Sequence, residues 1–312
     1  MNALETRVDG DRAEWLAARR KGIGGSDAAA VVGLDRYRTP LSVYLEKRGE
    51  IVPDDLSDND AVRFGNLLED VIADEYARRT GRTVHRVNRI LQSDQHPYML
   101  ANLDRRVVGE RRGLEIKTAN VFAAKAEDWG EPGTDVVPTR YLLQVQHYMA
   151  VTGYDVFDLA VLIGGQDFRI HTIARDEALI ANLISIESDF WARVQDGRPP
   201  AIISYEEAAR VFPQHTETPI LATPEIAAAC ARYRELKATE KDVTGELKDL
   251  QGKLAAFLGA HDTLVVAGSP ALTWRTQDAT RFDSSALKAD HPDLFDAYSR
   301  TATSRVMRLK GK

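Results

Sequence analysis

The stretch Leu103-Asp-Arg-Arg-Val-Val-Gly-Glu-Arg-Arg-Gly-Leu-Glu-Ile-Lys-Thr118 decides how the chain is read. Gly109 and Gly113 bracket a turn between two strand-like runs, so a hairpin returns Glu115 and Lys117 to the neighbourhood of Asp104. Along the second strand the side chains alternate: Leu114 and Ile116 take one face, while Glu115 and Lys117 share the other. Two carboxylates and an amine then converge. Carboxylate oxygens suit a hard cation such as Mg²⁺, and a lysine beside them can orient or help deprotonate an attacking water. Alone, an Asp followed by E-x-K on a hairpin is commonly surface charge, so the flanking segments carry weight.

Upstream, Phe64, Leu67, Leu68, Val71 and Ile72 form the apolar stripe of a helix, with Glu69 on its border beside Ile72 and Tyr76. A carboxylate half in the core can aim inward. Downstream, Tyr141, Gln144 and Tyr148 fall on one helix face, and Leu142, Val145 and Met149 on another. Such a helix packs on a sheet and offers amide and phenol groups beside it.

Composition limits the alternatives. The chain has 312 residues, 44% hydrophobic and 28% charged, enough to bury one large core or two modest ones. No run approaches the ~20 apolar residues of a membrane span, and the first residues lack the apolar core of a signal peptide. The single cysteine, Cys230, excludes an internal disulfide and a thiolate zinc site and fits a reducing, cytosolic setting. With 41 Lys+Arg against 47 Asp+Glu the net charge is −6, so a polyanion has to be met locally. Basic clusters that could do so include Arg19-Arg20-Lys21, Arg78-Arg79, Arg105-Arg106 and an end with Arg300, Arg305, Arg308, Lys310 and Lys312. The seven histidines show no metal-binding spacing, although His147 stands close to Gln144.

The order Glu69, Asp104, Glu115-x-Lys117, Gln144 resembles the PD-(D/E)XK nuclease superfamily. Trp15, Arg19 and Ser26, in W-x3-R-x6-S spacing within WLAARRKGIGGSDAAAVVGLDRYRTP, resemble the opening motif of its lambda-type exonuclease branch, the YqaJ-like viral recombinases of phages. The resemblance covers about residues 12–200. It implies an α/β restriction-endonuclease-like core with a central mixed sheet flanked by helices. It also implies two Mg²⁺ ions, replaceable by Mn²⁺, held by Glu69, Asp104, Glu115 and the Ile116 carbonyl. Lys117 would position the water, Tyr141 and Gln144 would contribute orientation, and Arg19 and Ser26 would hold a 5′-phosphate. The implied activity is stepwise removal of nucleotides from the 5′ end of one strand of double-stranded DNA. Implied partners are further copies in a closed trimer ring and a single-strand annealing protein, in the cytoplasm of a bacterial host. Two positions depart from the family pattern: Leu103 replaces the usual Pro and Arg105 the usual Gly. Asp94 matches an upstream family aspartate but also reads as an ordinary turn, and Gly22 to Gly25 reads as close backbone approach to DNA. A structure-selective or restriction-like endonuclease and a non-catalytic DNA-binding recombination adaptor are the rival readings.

The texture changes at Pro213–Pro219, which divides the chain into a nuclease domain over 1–212, a linker over 213–223 and an extension over 224–312. In the extension, Thr223 and Pro224 open one long helix to Leu258, and Val243, Leu247, Leu250, Leu254 and Phe257 repeat at heptad spacing. Such a seam needs burial; packing onto the chain's own core is favoured slightly over a neighbouring subunit or partner. A hairpin of Thr263–Ala267 and Ala271–Thr276, joined through Gly268-Ser269-Pro270, and a short capped helix from Ser284 follow.

Overall fold

The computed structural model describes residues 4–7, 12–53, 55–56, 58–301 and 303–310, so Lys312 of the basic end lies outside the described residues. The chain divides into two compact units, Met1–Glu207 and Ala208–Lys312.

The first unit opens with β1 (Leu4–Arg7), α1 (Arg12–Arg19), β2 (Ile23–Gly24), α2 (Gly25–Val31), α3 (Pro40–Lys47) and α4 (Asp60–Thr80). It continues through β3 (Val84–Arg86), β4 (Arg89–Gln92), β5 (Met99–Ala101), β6 (Arg105–Val107), β7 (Arg112–Ala119) and α5 (Val121–Ala126). It closes with α6 (Thr139–Thr152), β8 (Val156–Ile163), β9 (Asp167–Ala174) and α7 (Glu177–Asp196), before α8 (Tyr205–Val211) at the division between the units. The expected α/β class is present: a central mixed sheet runs in the order β3-β6-β7-β8-β9 with helices against it. Strands β6 and β7 are antiparallel and β7 and β8 parallel, so the connection over α5 and α6 is a crossover. A smaller sheet, β1-β4-β5-β2, stands beside it.

The alternation in β7 sorts the two faces. Leu114 and Ile116 pack with Ile72, Ala73 and Tyr76 of α4 on one side. Phe157, Leu159 and Val161 of β8 pack with Val145, Tyr148 and Met149 of α6 on the other. Two expectations change here. Gly113 is not part of the turn but lies within β7, where a Cβ would stand 2.1 Å from the Phe157 ring; Gly109, at φ +79°, makes the turn. The α4 stripe is also displaced: Ile72, Ala73 and Tyr76 are buried, while Phe64, Leu67 and Val71 are exposed. The buried face therefore begins one turn later than the apolar spacing suggests.

The second unit contains α9 (Pro224–Leu258), the hairpin of β10 (Thr263–Val266) and β11 (Ser269–Thr273), α10 (Ser284–Asp290) and α11 (Pro292–Tyr298). Thr223 caps α9 through Ile226 N–H at 3.3 Å, and Asp283 caps α10 through Ala286 N–H at 2.8 Å. Ala267 and Gly268, both at positive φ, form the hairpin turn, which leaves Ser269 and Pro270 in β11 and not in the turn. Among the described residues no helix is long and apolar enough to cross a membrane.

Candidate active site

Asp104 lies just beyond β5, and its Oδ2 accepts a hydrogen bond from the Ile116 N–H at 2.8 Å. That bond pins the carboxylate to the strand carrying Glu115 and Lys117. Glu115, 2% exposed, points toward α6; its Oε1 accepts from Lys117 Nζ at 2.5 Å and from Gln144 Nε2 at 2.7 Å. Gln144 also donates to the Tyr148 hydroxyl at 2.9 Å. Tyr141, one turn earlier, accepts at its hydroxyl from Arg140 and lies with its ring 5.0 Å from Lys117 Nζ. The structure thus gathers Asp104, Glu115, Lys117, Tyr141 and Gln144 from the bend before β6, one strand and one helix.

The electrostatics are unbalanced. Burial, with the charge of Glu115 beside it, pushes the Asp104 carboxyl up to about 8 against the pull of Lys117 and the Ile116 N–H. Burial disfavours the Lys117 charge, but Glu115 and Asp104 outweigh it and hold the ammonium above its ordinary range. Glu115 Oε2 is buried without a hydrogen-bond partner. One lysine does not neutralise a buried and a half-buried carboxylate, and the surplus acid with an unpartnered oxygen is what a divalent cation would satisfy. Hard oxygen donors at Asp104 and Glu115 fit such an ion. Among the described residues, however, no three His, Cys, Asp or Glu side chains already stand together as a metal cage. Glu69 is engaged elsewhere: its Oε1 accepts from Arg105 Nη1 at 2.5 Å and from Arg86 Nη2 at 3.4 Å. It is near enough for its charge to raise Asp104 but is engaged by arginines.

Arg19 and Ser26 form a second constellation in the same cavity. The Arg19 guanidinium donates to Ser26 Oγ at 2.8 Å and lies 4.7 Å over the Trp15 ring. A cavity of about 200 Å³ is lined by Arg19 and Ser26 and by Asp104, Glu115, Lys117 and Gln144. A neighbouring cavity of about 470 Å³, lined by Glu69, Arg86 and Arg89, shares Trp15, Ile90, Asn102 and Asp104 with it. The two form one trough past Asp104.

Asp27, which the spacing argument passed over, organises this end. Fully buried, it accepts from Lys47 Nζ at 2.6 Å, Arg38 Nη1 at 2.6 Å and Gly24 N–H at 3.1 Å, with Arg19 at 3.5 Å. Burial alone would raise its pKa, but Lys47, Arg19 and Arg38 hold it far below the usual carboxylate range. Arg38 also pairs with Glu46 at 2.5 Å. Three cations against two acids leave a local positive excess inside a −6 protein. One signal could have found Asp27: a lone acid heading the apolar run Ala28-Ala29-Ala30-Val31-Val32 requires a buried cation.

Gly22 and Gly25 are required by internal packing, while Gly24 and Gly25 also line the cavity shared with Asp104 and Lys117. A Cβ on Gly22 would lie 2.5 Å from the Tyr98 carbonyl oxygen, and one on Gly25 would lie 2.3 Å from the Tyr148 ring. Asp94 lies in the bend between β4 and β5. His147, fully buried, faces Glu187 Oε1 at 2.8 Å with Nδ1 and the Leu100 carbonyl at 2.9 Å with Nε2. Burial works against its protonation, but Glu187 and that carbonyl raise its pKa, since both ring nitrogens face acceptors. The ring ties α6 to β5 and α7, behind Gln144.

Residues 14–155 match the YqaJ-like viral recombinase domain. The chain is 33% identical over 307 residues to the protein YqaJ of Bacillus subtilis (strain 168), covering 96% of this chain and 94% of that one. It is 29% identical over 157 residues to protein R354 of Acanthamoeba polyphaga mimivirus, 46% of this chain and 27% of that one. The alkaline exonuclease LHK-Exo from Laribacter hongkongensis superposes with a TM-score of 0.49 at 24% identity, over 60% of this chain and 94% of that one. The chain belongs to the YqaJ-like viral recombinase family.

Proposed function

We propose that the protein is a phage-type exonuclease that hydrolyses linear double-stranded DNA from the 5′ end of one strand in a Mg²⁺-dependent reaction, generating 3′ single strands. The observation that carries this is the single trough in which Asp104, Glu115 and Lys117 share walls with Arg19 and Ser26. Family membership supports the same reading. Residues 1–212 would hold the activity, with 213–223 as linker. The resemblance adds a trimer ring and an annealing partner in the cytoplasm of a bacterial host.

Asp104, Glu115 and the Ile116 carbonyl would hold the metal, and Glu69 would complete the set on release from Arg105 and Arg86. Bound there, Mg²⁺ supplies charge neutralisation at the entering and leaving oxygens of the phosphodiester. Lys117, held protonated by its acidic neighbours, acts as a fixed cation beside the phosphate and orients the attacking water through its N–H groups. Gln144 and Tyr141 hold Glu115 and Lys117 in place. Arg19 grips a terminal phosphate with charge-assisted hydrogen bonds, and Ser26 Oγ, already its partner, takes a further oxygen. An end-selective nuclease follows from that second grip.

The test offers linear duplexes with 5′-phosphate or 5′-hydroxyl ends and covalently closed circles, each with Mg²⁺, Mn²⁺ or chelator. Hydrolysis of phosphorylated linear DNA alone, abolished by chelator, is expected. Cutting of closed circles would return the reading to an endonuclease, and binding without hydrolysis to an adaptor.

A further inference from the structure

Helix α9 is 35 residues long, yet within it only Leu258 is buried. Its exposed face carries a longer heptad than the run from Val243 first suggested. Ile226, Tyr233, Glu240, Leu247 and Leu254 repeat every seventh residue, and Ala229, Leu236, Val243, Leu250 and Phe257 stand three residues after each. This seam runs through more than four heptads, the length at which a two-stranded coiled coil becomes self-sufficient. Its large members are open to solvent: Leu236 and Val243 are each 50% exposed and Leu247 is 55%. Glu240 is its only charged position.

We propose that α9 pairs with α9 of a second copy of this chain as an antiparallel two-stranded coiled coil. The charges beside the seam select both direction and register. In a parallel pair Glu240 would face itself across the seam, and Arg232 would meet Lys237 of the other helix; both contacts are repulsive. Turned antiparallel, with Ile226 against Leu250 and Tyr233 against Val243, the flanking row on one side of the seam gains opposite-charge pairs, while on the other side Lys237 meets Lys237 of the second copy at the two-fold axis. Arg232 meets Glu246, and Glu225 meets Lys253. Glu240 lies against Leu236 of the second copy, within reach of that copy's Lys237. Each of these ion pairs occurs twice because the pair is isologous. Within one helix Lys237 already reaches Glu240 at 2.6 Å and Arg232 reaches Glu235 at 3.0 Å. These exposed pairs between neighbouring turns are weak and compete little with a buried seam.

The single cysteine supplies the test. Cys230 occupies a flanking position which, in this register, faces Thr244 of the second copy. Within one helix the two are about 21 Å apart, at 1.5 Å per residue, too far for a disulfide. Mild oxidation of the full-length Thr244→Cys protein should therefore give a disulfide-linked dimer, absent from wild type and from Thr244→Cys with Cys230→Ser. Light scattering should show Leu247→Glu halving the mass of the wild-type assembly. The inference is overturned if Thr244→Cys gives no linked dimer, or if linkage appears only with Gln251→Cys, which marks another register. It is also overturned if Leu247→Glu leaves the mass unchanged, as expected were the seam reserved for a different protein. None of these readouts depends on nuclease activity.

Discussion

Helices α6 and α9 are both amphipathic in sequence, and they meet opposite fates. In α6, 14 residues long, Gln144, Gln146, His147 and Tyr148 are buried along with its apolar members, and each polar group has a named partner. In α9, 35 residues long, apolar positions at regular spacing are exposed and one residue is buried. A short helix between two sheets can be polar because strands and helices around it supply complementary groups. A long helix at the edge of a unit must bring its partner from elsewhere. Periodicity announces a buried face; it does not say what covers it.

The largest expected effect lies at the polar end of this contrast. Asp104→Ala or Lys117→Ala should lower hydrolysis of linear duplex DNA by about 10³-fold or more, since the first removes a carboxylate that would hold the metal and the second a cation beside the reacting phosphate. Near-normal rates from either variant would show that the α6 side of the sheet is a satisfied polar core and not a reaction centre. Chelation should reproduce the loss without unfolding the chain, as circular dichroism would report.

Next comes the far end of the trough. Arg19→Ala should slow digestion of 5′-phosphorylated ends by roughly 10²-fold while changing 5′-hydroxyl ends far less, as expected for a bidentate grip on phosphate. Equal slowing on both ends would mean that Arg19 only braces Asp27. Gln144→Ala should cost less than Lys117→Ala, because Glu115 keeps its lysine; steady-state rates on one substrate rank the two.

The His147–Glu187 pair tests stability apart from chemistry. Removing one partner of a fully buried pair costs about 3–5 kcal/mol, so His147→Leu should lower the urea midpoint markedly. The pH dependence has a definite sign. His147 has a folded pKa above its ordinary value of 6.5, so its contribution is complete below that pH and lost as pH rises through the folded value. Wild-type stability should fall across that window and His147→Leu should be flatter; parallel curves would place the proton elsewhere. The smallest effect belongs to α9: an exposed seam substitution such as Leu247→Glu should leave hydrolysis per active site within about twofold, equivalent to less than ~0.5 kcal/mol. A larger loss would tie the seam to the reaction.

The sequence by itself determined much of the site. Alternation in a strand is a local property, so the side of β7 shared by Glu115 and Lys117 was readable from four residues, and so was the common face of Tyr141, Gln144 and Tyr148. The caps at Thr223 and Asp283 were equally local. Only the tertiary structure decided three other things. It placed Gly113 under Phe157, a contact across 44 positions of chain. It tied Glu69 to Arg105 and Arg86 and began the buried face of α4 later along the helix, where Ile72, Ala73 and Tyr76 meet Leu114 and Ile116. It assembled the buried hub in which Asp27 binds Lys47 and Arg38. Each depends on which distant groups arrive to satisfy a charge or fill a space, and one-dimensional spacing contains neither distance nor burial.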